Sequence, residues 1–202
     1  MYSKLVALIL LLVNFHPWQV PEKATPQSQN DVKTLARTVM TELKNKDFAK
    51  LATLIHPQKG LRFEPYSTPF FQGQLFTKQE FQKASTSSKK YTWGSYDGSG
   101  EPIELSFSDY YKKFVYNKDF LKLEPKYYPE NFKKYTHNGL EAYDPNDNDW
   151  DKNYPEASAA YYYWPDPEYG EGGGDWASIT LVFEKEKTVW YLVAIIHDQW
   201  QI

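Results

Sequence analysis

The chain has 202 residues, 23 of them Lys or Arg and 26 Asp or Glu, for a formal charge of -3. That length is enough to bury about 70% of the unfolded surface around one core, and the lack of a basic excess excludes nucleic acid as the main partner on electrostatic grounds. Cysteine is absent, which excludes disulfides, a lipidated N-terminal cysteine and thiolate metal ligands.

Residues 1–20 carry Lys4 ahead of an unbroken apolar run from Leu5 to Val13. The run is too short to span a bilayer by itself and reads as a secretory signal; an uncleaved N-terminal anchor is the competing reading and would be the chain's one membrane attachment. Export of a cysteine-free chain fits a bacterial envelope, periplasmic or extracellular protein. Residues 21–30, PEKATPQSQN, have linker composition, so a single folded domain is expected over 31–202.

From Asp31, a predicted N-cap, Val32, Leu35, Val39, Met40 and Leu43 recur at helical spacing, and Asp47 opens a second helix carrying Phe48, Leu51, Leu54 and Ile55. Pro57 ends it near His56, Gly60 permits a reversal, and LRFEPY alternates as a short strand. Thr77 and Glu80 match a capping box, which predicts a helix through Phe81 to Ser85. Asp97-Gly98 signals a tight turn, and SDYYKKFVYN places Tyr110, Tyr111 and Phe114 on one helical face. Residues 117–155 are the least regular and are expected to form an insertion. Beyond them YYYWP, DWASITLVFE and TVWYLVAIIHDQWQI read as a strand meander. Strict alternation in the last strand puts Val189, Tyr191, Val193, Ile195 and His197 on one face and Trp190, Leu192, Ala194 and Ile196 on the other, so both faces should be covered.

The segments LIHPQKGLRFEPY, WGSYDGSGEPI, DWASITLVFE and WYLVAIIHDQW, in that order after two or three helices, resemble a group of uncharacterised bacterial secreted proteins of the nuclear transport factor 2-like, cystatin-like superfamily. The resemblance implies an α+β fold, a curved antiparallel sheet wrapped over N-terminal helices as a cone with a pocket at its open end. It also implies that function is open, since the superfamily holds isomerase-like and cyclase-like enzymes beside members that only bind or dimerise. The isomerase's tyrosine and paired carboxylates find no residue-by-residue match here.

The candidate ligand-binding residues are His56, Arg62, Glu64, Trp93, Tyr191 and His197. At a helix C-terminus the protonated form of His56 would be favoured by carbonyl dipoles; the competing reading is a cap bonded to the last helix carbonyls. Arg62, one of two arginines with Arg37, shares a strand face with Glu64 and can either hold a ligand carboxylate or form a structural ion pair. His197 and Asp198 are strand neighbours pointing to opposite faces, and a buried neutral histidine competes with a base. Trp93 and Tyr191 join the aromatic walls expected of the pocket. Tyr161, Tyr162, Tyr163, Trp164, Trp176, Trp190 and Trp200 can stack on sugars, although filling a core accounts for most aromatics.

Asp147, Asp149 and Asp151 alternate like a calcium loop, but Lys152 stands where glycine is required and Ser158 where glutamate is, so no metal is expected. Gly98-Ser99-Gly100 is too short for a phosphate loop, and neither a serine elbow nor a zincin helix occurs. These observations predict no cofactor. They favour a non-catalytic module for a small or carbohydrate-like ligand, with a histidine-based isomerase or cyclase and a structural homodimer as the alternatives.

Overall fold

The structure, a computed structural model, describes residues 31–67, 72–128, 154–170 and 174–200. The predicted signal, the linker and the Asp147–Asp151 loop lie outside the described residues.

Local chemistry sets the helix ends. The Asp31 carboxylate accepts the Lys33 amide at the head of α1 (Val32–Asn45), and Asp47 accepts the Lys50 amide at the head of α2 (Phe48–Thr53). Between them Lys46 takes the left-handed conformation, and its amide closes onto Glu42 and Leu43 carbonyls. Thr77 and Glu80 form the full capping box of α3 (Lys78–Ala84), and Ser106 caps α4 (Phe107–Phe114).

The strands are β1 (Leu61–Glu64), β2 (Gln74–Phe76), β3 (Lys90–Ser95), β4 (Pro102–Ser106), β5 (Lys126–Tyr128), β6 (Ser158–Trp164), β7 (Ala177–Glu186) and β8 (Val189–Gln199). Six of them form one sheet in the order β2-β1-β8-β7-β6-β5, and β3 and β4 make a separate hairpin. The class is α+β as expected, but the main sheet is mixed where the sequence suggested an antiparallel one. β1 runs parallel to β8 in the register Arg62–Ala194, Phe63–Ile195, Glu64–Ile196. The reason is topological: the chain leaves β1 and returns to β8 more than a hundred residues later, with no hairpin to impose an antiparallel pairing. Part of the expected insertion is also ordered, as a short 3-10 turn at Phe120–Lys122 and edge strand β5.

Both faces of the sheet are covered. On the helical face, α1, α2, α3 and α4 pack against Phe63, Leu181, Phe183, Leu192 and Ile195. Phe63 lies at the centre of an aromatic cluster, with the rings of Phe76, Phe81, Trp93, Phe107 and Tyr110 each within about 6 Å of its own. Each such buried ring contributes about 2–3 kcal/mol through water exclusion, so these aromatics serve the core. On the other face, Ala159, Val182, Val193, Ala194 and Ile196 are buried with Tyr154 and Ala157.

Candidate functional site

The His-Pro corner is built as a turn. α2 ends at Thr53, so His56 lies beyond the helix. Its amide bonds the Leu192 carbonyl at 3.0 Å, tying the corner to β8. The ring closes the reversal: Nδ1 accepts the Gln58 amide at 3.2 Å and the Lys59 amide at 3.0 Å. Gly60 completes it at φ 73°, where a Cβ would stand 2.4 Å from the Phe76 carbonyl oxygen. Both sequence readings of His56 therefore need correction. It caps a turn and not a helix, and an Nδ1 that accepts two amides carries no proton. Burial, and after it the Lys59 ammonium, hold the imidazole below its ordinary pKa, the opposite of the expected dipole effect.

Arg62 and Glu64 share the face turned away from the helices. Arg62 Nη1 donates to Glu64 Oε1 at 3.2 Å, and Glu64 Oε2 accepts the Gly73 amide at 2.9 Å. Glu64 is 0% exposed, so both oxygens of this carboxylate are engaged inside the protein. The neighbouring Lys59 ammonium pairs with Glu184 on β7 and lies 5.4 Å from the Tyr154 ring centroid. The Tyr154 hydroxyl is hydrogen-bonded to Arg62. Lys59, Arg62, Glu64, Tyr154 and Glu184 thus form one polar network, of which the sequence reading saw only Arg62 and Glu64. Lys59 could have been found, since it lies in the same corner; Tyr154 and Glu184 carry no local signal.

A β-bulge decides the fate of the other histidine. Val182 is opposite Ala194 while Phe183 is opposite Leu192, so Val193 has no partner on β7 and alternation shifts by one residue. Leu192 and Ile195 both enter the helical core, and His197, opposite Ile179, follows Ile195. Tyr191, opposite Glu184, faces the other side and meets the edge of the His56 ring at 5.8 Å. The expectation that Tyr191 and His197 share a face is therefore overturned. His197 is 0% exposed, with Nδ1 3.2 Å from the Pro65 carbonyl and its ring edge-on to Phe114. The carbonyl can only accept, so Nδ1 holds the proton, and burial pulls the pKa down to about 4. Trp93 is likewise fully buried, stacked on Tyr110 at 3.7 Å with its indole N–H donating to the Leu105 carbonyl.

Of the six candidates, then, His56 touches Tyr191 and Arg62 pairs with Glu64 on one face of the sheet, while Trp93 and His197 belong to the core on the other. A cluster of His56, Arg62 and His197 does not form.

An open groove of about 220 Å³ lies at the far edge of the sheet, between the first turns of α1, the 3-10 turn and β5. Lys33 and Arg37 reach it from α1, Leu121 and Leu123 from the turn, and Tyr127 and Tyr162 from β5 and β6. The Lys33 ammonium lies over the Tyr127 ring at 5.4 Å. Arg37 and Glu124 also line it, and neither side chain makes a hydrogen bond or ion pair with any described residue. Burial raises the pKa of both Tyr127 and Tyr162, with Arg37 acting in the opposite sense on each. The signal for this site was the scarcity of arginine, which pointed to Arg37 as much as to Arg62. Among the described residues no group of His, Asp or Glu is placed to hold a metal ion, and no helix is long and apolar enough to cross a membrane. No family model, curated protein or solved structure matches the chain.

Proposed function

We propose that this chain is an exported, non-catalytic binding module with a cone-like, nuclear transport factor 2-like architecture, and that its small ligand sits in the groove at Arg37 and not at the His-Pro corner. Helices on one face of the sheet and a first strand beside the last are compatible with that architecture. The observation that carries the reading is the pairing state of the two arginines. Arg62 is spent on Glu64, whereas the exposed guanidinium of Arg37 faces a groove walled by two tyrosines with no described ion partner. Convergence of His56, Arg62 and His197 would have favoured the isomerase alternative, but His197 lies on the helical face and Arg62 on the other. A dimer through the outer sheet face would need surface other than Val182, Val193, Ala194 and Ile196, which are already buried within the chain.

The test is a thermal-shift screen of small metabolites and sugars on the wild type, Arg37→Ala and Arg62→Met. A ligand at a hundred times its Kd stabilises by about 2.7 kcal/mol, which for a chain of this size raises Tm by about 5–10 °C. The increment should vanish in Arg37→Ala and persist, on a lower baseline, in Arg62→Met. Loss of the increment in Arg62→Met with retention in Arg37→Ala would return the site to the corner and refute the placement.

A further inference from the structure

We infer that the groove takes a zwitterion: a single free amino acid with an apolar side chain, its carboxylate held by Arg37 and its ammonium by Glu124. This rests on the groove being the ligand site. The size comes first. At about 30 Å³ per water the volume matches about seven waters, and 220 Å³ falls below the range of pockets that hold drug-sized molecules. One amino acid or one sugar ring is the scale of the occupant.

Charge then separates these two. A neutral sugar would leave both charges uncompensated, since the groove presents a guanidinium and a carboxylate that line the same space without pairing with described groups. A guanidinium presents parallel N–H donors matched to a carboxylate, and a free carboxylate can only accept, which suits an ammonium. The Lys33 ammonium, over the Tyr127 ring, adds to the positive side of the groove. Thr34 adds one hydroxyl, and the rest of the wall is apolar or aromatic: Leu121, Leu123, Pro125, Tyr127 and Tyr162. Those apolar and aromatic faces exclude water around an apolar or aromatic side chain. An anion without an amine would leave Glu124 beside its own charge, and an amine without an acid would meet Arg37 and Lys33.

The experiment is an amide-shift titration of isotope-labelled full-length protein with L-phenylalanine, 3-phenylpropanoate and 2-phenylethylamine, which share one ring and differ only in the charged ends, and with the neutral monosaccharide D-glucose. L-Phenylalanine should shift the amides of Lys33, Arg37, Glu124 and Tyr127 saturably, and each half-ligand should bind at least about tenfold more weakly, as loss of one charge-assisted contact implies. Arg37→Ala should reduce L-phenylalanine to the affinity of the amine, and Glu124→Gln to that of the acid. Both side chains are exposed, so neither variant should threaten the fold. Equal affinity for L-phenylalanine and either half-ligand overturns the inference, as does unchanged binding in both variants. If D-glucose moves these amides and L-phenylalanine does not, the zwitterion is refuted and the groove stands. If no ligand moves them, the inference and the groove reading fail together.

Discussion

Acid should weaken this fold through His197, and the effect can be isolated. The ring is fully buried, has its pKa lowered from 6.5 to about 4, and owes the shift to desolvation alone, partly opposed by the Pro65 carbonyl. An unfolded chain binds this proton near pH 6.5 and the folded chain only near pH 4, so between those values the unfolded state holds more protons. Stability from this group is therefore complete above pH 6.5 and falls as the pH drops toward 4. A fall from 6.5 to about 4, at about 1.36 kcal/mol per pH unit, gives a loss of about 3 kcal/mol across the window. His56, also held below its ordinary value, adds in the same direction, whereas Asp198, raised by burial, acts in the opposite one. The control is His197→Asn, whose amide can still donate to the Pro65 carbonyl but cannot titrate. Urea melts from pH 7 to pH 4 should show the variant about 1–3 kcal/mol less stable at neutral pH, from lost packing on Phe114. That gap should close or reverse by pH 4. Parallel stability curves for the two proteins, or a His197 ring titrating near 6.5 by NMR, would refute the reasoning.

The corner and its network yield further expectations. Arg62→Met should cost about 3–5 kcal/mol in chemical denaturation because Glu64 stays buried without its cation, and adding Glu64→Gln, which keeps an acceptor for the Gly73 amide, should recover much of the loss. Gly73→Ala would place a Cβ 1.8 Å from the Phe63 carbonyl oxygen, so β2 must detach from β1; a Tm within a few degrees of wild type would contradict the observed strand approach. His56→Leu should destabilise by about 1–3 kcal/mol through two unsatisfied turn amides, and His56→Asn, which can accept them, should cost clearly less in the same melts.

The Arg62–Glu64 pair shows how far sequence reasoning reaches at a site. Period-2 alternation placed both on one face correctly, because they lie on one short strand without a bulge. Whether the fork met a ligand or a structural partner was not written locally. It depended on Gly73 arriving from β2 to take the second carboxylate oxygen and on Tyr154 arriving from far along the chain. The groove was harder still, since Arg37 lies on a helix, Glu124 on a connecting segment and Tyr162 on a strand, with no shared pattern.

What the sequence determined by itself was the set of interactions that close within four residues. Asp31, Asp47 and Thr77 with Glu80 cap the helices where they were expected to, because a side chain reaching an amide two or three positions on needs no distant partner. The apolar pattern of β8 likewise announced a central strand with both faces covered, and it lies between β1 and β7. Tertiary structure alone decided which residues share a face beyond Val193, that β1 runs parallel to β8, and that Arg37 keeps its guanidinium for the groove while Arg62 does not. Each of those depends on a ladder or a contact between segments remote in the chain, where one inserted residue in a strand reverses every side chain after it.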